Sequence, residues 1–390
     1  MKIAIVKLSA LGDIVHAMVA LQFIKEQHPD AQIDWVVEQR FADVLKHQPD
    51  IDNVLTVDIK ALKTNKIGIL AEIKRLRRYA SKHYDLVIDA QGLLKSSITA
   101  RLLGNNVSGF DSNSIREQAA SWLYSVKVAV PYDANTIDRN TTVLTQPLNI
   151  SINREKVLAK KPFLFFKDED ERINLYLHRN IKNIVLVIGS TWESRNYPIE
   201  KFVKIAEALK QNCLIVWGND SERKKAEWMC DQTEYVQIMP KLDLNSLKAL
   251  IAKADLVIGN DTGPTHMAWG LNRPSITIFG PTPVSRVYQT PINKTIKSAS
   301  EVNPFKLNKQ DFSICEIDEQ EIIAMAETLL AEKSLSDQAN IQSSTEHSLV
   351  KDVDNSLLDD IANSLINIDM DDFFLLSGEI FGLPYTNLET

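Results

Sequence analysis

Cysteine is scarce. Only Cys213, Cys230 and Cys315 occur in 390 residues, with neither metal-binding nor disulfide spacing, so they read as reduced structural thiols. No apolar run approaches the roughly 20 residues that a membrane span needs. The opening Met1-Lys2-Ile3-Ala4-Ile5-Val6-Lys7 becomes charged too soon for a secretory signal, and a cytoplasmic protein is expected. No G-x-G-x-x-G follows the first apolar stretch, which argues against hydride transfer on a dinucleotide. The seven histidines include no metal-ligand pair, no Ser/His/Asp triad can be read, and no internal repeat is visible. No metal or cofactor is expected.

What is present is an ordinary globular composition, long enough for two cores. The net charge of −7 hides an asymmetry. From Ser334 onward eleven Asp and Glu stand against one Lys, leaving the rest mildly basic. That body tolerates an acidic or phosphorylated substrate but is too weakly charged to indicate nucleic acid.

Apolar runs of strand length alternate with stretches of helical period. Strands are expected at residues 2–7, 33–37, 54–57 and 86–89, with helices from Ile14 through Lys25, over 67–82 and from Leu93. Prolines and mixed charge at 131–180 suggest a linker and irregular structure. The alternation resumes at Ile184 and runs to Phe279, with a final helix at 318–333. This predicts two doubly wound, Rossmann-like α/β domains facing a central crevice, an N-terminal one at 1–160 and a C-terminal one at 161–317. Residues 334–390 form an acidic tail whose first part reads as a disordered linker. Leu357, Ile361, Leu365 and Ile368 repeat at helical spacing, which suits either an unknown partner or a helix without one.

Polar clusters sit where strands end. Gly259-Asn260-Asp261-Thr262-Gly263-Pro264-Thr265-His266 lies at a strand-to-helix turn, where unpaired N–H groups, hydroxyls and His266 suit a phosphate. An ordinary capped helix start looks the same. Gly189-Ser190-Thr191 with Arg195 suits a diphosphate, and Glu222, after Trp217-Gly218, suits the hydroxyls of a ribose. In the first half, Ser9-Ala10-Leu11-Gly12-Asp13 places a carboxylate at a helix start, as a simple cap or as a general base. Asp89-Ala90-Gln91-Gly92 ends another strand on the same crevice. Lys60, Lys63 and the basic helix at 67–82 are either a solvated face or an anion-greeting one, and Arg116 is a further candidate.

Five segments make the chain recognisable. Val6-Lys7-Leu8-Ser9-Ala10-Leu11-Gly12-Asp13-Ile14-Val15-His16 resembles the opening of the lipopolysaccharide heptosyltransferases, glycosyltransferase family 9. Asp34-Trp35-Val36-Val37-Glu38 and Asp89-Ala90-Gln91-Gly92-Leu93-Leu94-Lys95-Ser96 look like the type I members. Asp261-Thr262-Gly263-Pro264-Thr265-His266 and Phe279-Gly280-Pro281-Thr282 are similar to the family's C-terminal signatures. The resemblance implies a GT-B fold and inverting transfer of L-glycero-D-manno-heptose from ADP-heptose to the first Kdo of Kdo2-lipid A. It also implies peripheral contact with the cytoplasmic face of the inner membrane. By the same resemblance Asp13 is the base and Arg195 stands where type I members carry a lysine near the diphosphate. Ser190, Thr191, Thr262, Gly263 and His266 would hold the diphosphate, Glu222 the ribose, Leu242 the adenine and Asp261 the heptose hydroxyls. Ser9, Gly12, Gln91, Lys60, Lys63 and Arg116 would meet the acceptor. Other readings are a heptose or protein acceptor, a GT-B sugar-nucleotide epimerase, and a non-catalytic nucleotide-sugar sensor. The segment after 334 has no counterpart in the resemblance.

Overall fold

The computed structural model describes residues 1–59 and 68–332. Lys60, Lys63 and the acidic segment 334–390 lie outside the described residues. Met1–Leu330 pack as one compact unit.

Buried aliphatic runs make the strands of the first half: β1 (Lys2–Val6), β2 (Gln32–Glu38), β3 (Asn53–Val57), β4 (Leu86–Asp89), β5 (Val107–Phe110) and β6 (Val126–Val128). They form one parallel sheet in the order β3-β2-β1-β4-β5-β6. The helices are α1 (Leu11–Met18), α2 (Ala20–Gln27), α3 (Gly68–Ala80), α4 (Leu94–Leu103) and α5 (Thr136–Thr145). The single helix expected through Lys25 is divided at Val19, and α5 occupies a stretch expected to be irregular. Short helices α6 (Arg154–Leu158) and α7 (Ile173–Tyr176) lie in the connection to the second half.

The second half repeats the plan. It contains β7 (Asn183–Val187), α8 (Ile199–Leu209), β8 (Asn212–Val216), α9 (Asp220–Gln232), β9 (Val236–Ile238) and α10 (Leu244–Lys253). Then come β10 (Leu256–Asn260), α11 (Gly263–Gly270), β11 (Ser275–Phe279) and β12 (Asn293–Lys297), followed by a helix over 319–332. Its parallel sheet has the order β12-β11-β10-β7-β8-β9. Numbered within each half, both sheets run 3-2-1-4-5-6, and each order reverses between its first and fourth strands. Those two switch points are where such folds take ligands.

The halves share a core. Along β7, Val185 and Val187 face the apolar mass that also holds Ile3, Ile14 and Trp35 of the first half, while Ile184, Leu186 and Ile188 face Phe202, Met229 and Ile322. The period of two along a strand produces this division. Two buried lysines add polar ties. Lys248 of α10 donates to the carbonyls of Val44 and Lys46 at 3.2 and 2.9 Å, and burial lowers its pKa to about 8. Lys160 donates to the Trp269 carbonyl at 2.6 Å and to the Asn272 side chain, and burial lowers its pKa to about 7. The first lysine thus binds the second half to the first, and the second fixes the far end of α11. No helix among the described residues is long and apolar enough to cross a membrane.

Candidate active site

The first switch point lies between β1 and β4. After β1 the chain turns through Leu8 and Ser9, whose N–H groups donate to Gln91 Oε1 at 3.1 and 3.0 Å. Gln91 thereby locks the β1 turn to the β4 turn. Asp89, at the end of β4, is fully buried and accepts from Gln91 N, Gly92 N, Ser96 Oγ and Tyr124 Oη. Burial raises its pKa against those four hydrogen bonds. Gly92 follows with φ of +71°, and a side chain there would also strike Ile115.

Asp13 stands in the first turn of α1. Its Oδ2 accepts from Ala10 N at 3.3 Å, and its Oδ1 lies 3.4 Å from Arg286. The side chain is 25% exposed and opens on a cavity of about 210 Å³. Lys7, Gln91, Tyr132, Arg139 and Arg286 share that wall. Lys7 donates to the Ala90 carbonyl at 2.7 Å and to Asn140 Oδ1 at 2.8 Å. Burial lowers its pKa against the pull of Asp13 and Asp89. Three cations thus surround a small polar hollow beside a carboxylate.

The second switch point lies between β7 and β10 and adjoins a cavity of about 400 Å³. Ser190, Thr191, Glu222, Leu242 and Thr262 all line it, as do Trp217 and Phe41. Ser190 Oγ is buried with no hydrogen-bond partner among the described residues. Thr262 begins α11 without using its hydroxyl as a cap. Glu222 accepts from Gly218 N at 2.7 Å and from Asn219 Nδ2 at 2.8 Å. It lies where a side chain on Gly189 would be, so the carboxylate approaches the backbone there closely. Trp217 is fixed by a bond from Nε1 to the Met239 carbonyl at 2.7 Å. One wall is therefore flat and apolar, suited to a base, and the other carries hydroxyls and a carboxylate.

Asp261 is placed differently from the expectation that it meets sugar hydroxyls. It is 1% exposed, and its carboxylate is committed to protein donors. His266 Nε2 lies 2.9 Å from Oδ1, while Arg195 and Thr282 donate to Oδ2 at 2.8 and 2.7 Å. Arg286 Nε stands 3.5 Å from the same oxygen. Burial alone would raise the Asp261 pKa, but Arg286, the His266 hydrogen bond and Arg195 hold it well below the usual range. Arg195 and His266, both expected at a diphosphate, are thus drawn first to Asp261; Arg195 also donates to the Asp261 carbonyl. Gly263 also makes a packing contact. A side chain there would strike Leu11 of α1, and one on Gly12 would strike His266. The two helix starts therefore meet through small residues, and Gly12 and Gly263 serve that contact. His16 meets His266 in a tilted ring contact with centroids 4.6 Å apart, and burial pushes its pKa well below the usual value.

Arg286 is the residue that sequence reasoning missed. It lies between Asp13 of the first half and Asp261 of the second. Burial opposes its charge, but the two carboxylates outweigh that and raise its pKa. The only signal nearby was the Phe279-Gly280-Pro281-Thr282 turn. Ser9 stands half-buried on the β1 turn, whereas Arg116 is exposed and outside the cavity lining.

The sequence profile described as glycosyltransferase family 9 (heptosyltransferase) matches residues 70–313. Lipopolysaccharide heptosyltransferase 1 of Campylobacter coli is 36% identical, over 85% of this chain and 100% of that protein. The enzyme of the same name from Pseudomonas aeruginosa is 30% identical, over 72% of this chain and 79% of its own length. Among solved structures, the E. coli heptosyltransferase WaaC with ADP superposes with a TM-score of 0.70 at 24% identity, covering 84% of this chain and 100% of that one. That likeness is one of fold, and gives the two facing sheets as GT-B. With a profile match over more than half its length and full-length likeness to a named relative, the chain belongs to glycosyltransferase family 9, the heptosyltransferases.

Proposed function

We propose that this chain transfers L-glycero-D-manno-heptose from ADP-heptose to the first Kdo of Kdo2-lipid A, with inversion at the anomeric carbon. The observation that carries the reading is the pair of cavities, one beside each switch point. One has a carboxylate among cations, the other a flat apolar wall with hydroxyls. In the second cavity adenine packs against Trp217 and Leu242, and Glu222 accepts from the ribose hydroxyls. Ser190, Thr191 and the start of α11 at Thr262 and Gly263 meet the diphosphate, where N–H groups and the helix dipole favour negative charge. Lys7, Arg139 and Arg286 give the first cavity the charge to hold the acidic acceptor sugar.

Asp13 takes the proton from the acceptor hydroxyl. That oxygen attacks the anomeric carbon as the bond to the diphosphate breaks, and ADP leaves with the electron pair. Arg195 and Arg286 supply positive charge beside the developing anion, fixed in place by Asp261. Asp261 is accordingly a positioning residue. The acceptor is anchored in lipid, so the chain works at the cytoplasmic face of the inner membrane as a peripheral protein.

The test is product analysis with ADP-heptose and Kdo2-lipid A. The expected result is one ADP released per heptosylated lipid, with the new linkage of opposite anomeric configuration to the donor. Free altered sugar nucleotide, or binding without turnover, overturns the reading.

A further inference from the structure

Exposed apolar side chains are not spread evenly over the described chain. Several gather on one face of the first sheet: Leu70 at the start of α3, Leu94 and Ile98 on α4, and Trp122 and Val126 leading into β6. Helix α3 packs beside α4, and α4 beside the 3-10 turn Gln118–Leu123. Glu117 accepts from Leu94 N at 2.8 Å and ties that turn to the start of α4. Trp122 is 79% exposed and Leu70 77%. A lone exposed leucine needs no explanation, but a cluster containing a tryptophan marks a contact surface.

The charges on the same face are sorted. Helices α3 and α4 carry six cations and one carboxylate, in a chain whose net charge is −7. The carboxylate, Glu72, is turned inward and pairs with Arg75 at 3.0 Å. Lys74, Arg77 and Arg78 are exposed and follow Leu70 at the three- and four-residue spacing of one helix face. Lys95 is exposed beside Leu94. Cations outward, a carboxylate inward and an exposed indole alongside match the chemistry of an anionic bilayer surface. Amphipathic aromatics settle at the headgroup level, and lysine and arginine are drawn to acidic lipid.

We propose that this face of the first half is the membrane-docking surface, with Trp122, Leu70 and Leu94 entering the headgroup boundary of an anionic bilayer. The inference rests on the reading that the acceptor is lipid-anchored, and assigns the residues that bring the crevice to it. Helices α3 and α4 both begin at the carboxyl edge of the sheet, the edge that carries Asp13 and Gln91. A docked face therefore sets the acceptor cavity beside the headgroup layer.

The experiment is flotation of the full chain with vesicles of phosphatidylcholine, alone or mixed with phosphatidylglycerol. Binding is expected to the mixed vesicles and to fall as salt rises. Changing Trp122→Ser together with Leu70→Ser is expected to weaken it by at least about tenfold. Lys74→Gln, Arg77→Gln and Arg78→Gln each weaken it about fivefold, and together on the order of a hundredfold. None of these residues lines either cavity, so heptose transfer to a water-soluble Kdo acceptor stays as in the wild type. A wild-type chain that ignores both vesicles, or variants that float as it does, overturns the proposal. So does a face that instead pairs two copies, seen as a concentration-dependent mass lost in Trp122→Ser. The soluble-acceptor assay keeps the two readings apart. Lost flotation with transfer intact concerns the surface, and absent transfer by the wild type concerns the reaction.

Discussion

Asp89 and Asp261 stand at corresponding places, each just past or at the end of the fourth strand of its half, beside the switch point. Both are buried and both are fully hydrogen-bonded. Their titration nevertheless moves in opposite directions. Asp89 has neutral donors, two hydroxyls and two backbone N–H groups, and burial wins, so its pKa rises. Around Asp261 stand two guanidinium groups and His266, and its pKa falls despite equal burial. Topology supplies the position in both halves, and the charge of the partners decides what the carboxylate does there. The first half keeps its strand-end aspartate as a brace for the β4 turn. The second uses its own to collect positive charge beside the larger cavity. Asp13 is a third case, with one long backbone hydrogen bond, one long ion pair and partial exposure. Of the three, it alone has a carboxylate open to a cavity, which is the condition for accepting a proton from a substrate.

The largest effect expected from this contrast is on turnover. Asp13→Ala should lower kcat by about 10²–10⁴-fold, the usual contribution of a positioned base. The cavity of Ser190, Thr191 and Glu222 does not include Asp13, so ADP-heptose affinity, measured by calorimetry, should stay within a few-fold. The urea midpoint should move little because the side chain is partly solvated. Full turnover in the variant would remove Asp13 from the mechanism and leave no free carboxylate among these three.

Next in size is Asp261→Asn. It leaves Arg195 and Arg286 beside a neutral amide, and removing one partner of a buried ion pair costs about 3–5 kcal/mol. Urea unfolding at neutral pH checks this. Turnover should fall with it, since both guanidinium groups lose their anchor. The sign with pH follows from the lowered pKa. The native carboxylate contributes its full stability above about pH 4, the unfolded value. That contribution is lost as pH falls further, because the unfolded chain then takes up a proton that the native state refuses. The gap between wild type and Asp261→Asn should therefore narrow on acidification.

Much of this was legible in the sequence, and the parts that were not have physical reasons. The interior strands β1, β4, β7 and β10 are short, nearly continuous aliphatic runs, and their polar ends mark the switch points without any coordinates. Strands β5, β6 and β12 escaped notice: β5 and β6 are only four and three residues long, too short for a period to show, and Asn293-Lys294-Thr295-Ile296-Lys297 has one aliphatic residue. Helix α5 is rich in β-branched and polar residues, Thr136, Ile137, Thr141, Thr142 and Val143, of modest helical propensity. Packing against α1 and α2 makes it helical. Ser190, Thr191, Glu222 and Thr262, which line one cavity, were legible as neighbours because each follows the end of a strand of one sheet, whereas Leu242 came from the family resemblance alone. Arg286 was invisible for the converse reason. It ends the 3-10 turn Val284–Arg286 and acts through residues 273 and 25 positions away, a relation that no local pattern carries.

The smallest expected effect separates the two strand-end aspartates most sharply. Asp89→Asn keeps an acceptor oxygen for Gln91 N and Gly92 N and asks the Tyr124 and Ser96 hydroxyls only to rotate. Ser96 already donates to the Leu93 carbonyl at 2.8 Å and accepts from Leu93 N at 3.0 Å, so it has an alternative. The variant also relieves the burial of a charge. Its stability at neutral pH should lie within about 1 kcal/mol of wild type, the net value of one ordinary hydrogen bond. The pH dependence has the opposite sign to that of Asp261→Asn. A raised native pKa means that the folded state takes up the proton first as pH falls, so wild type gains on Asp89→Asn between that pKa and the unfolded value. Below the unfolded value the difference stops changing. Urea titrations of the two variants across the acid range should therefore diverge, with wild type gaining on one and losing its advantage over the other. If both curves move the same way, partner charge does not set the behaviour of these two carboxylates, and burial or an unfolded-state effect common to both must.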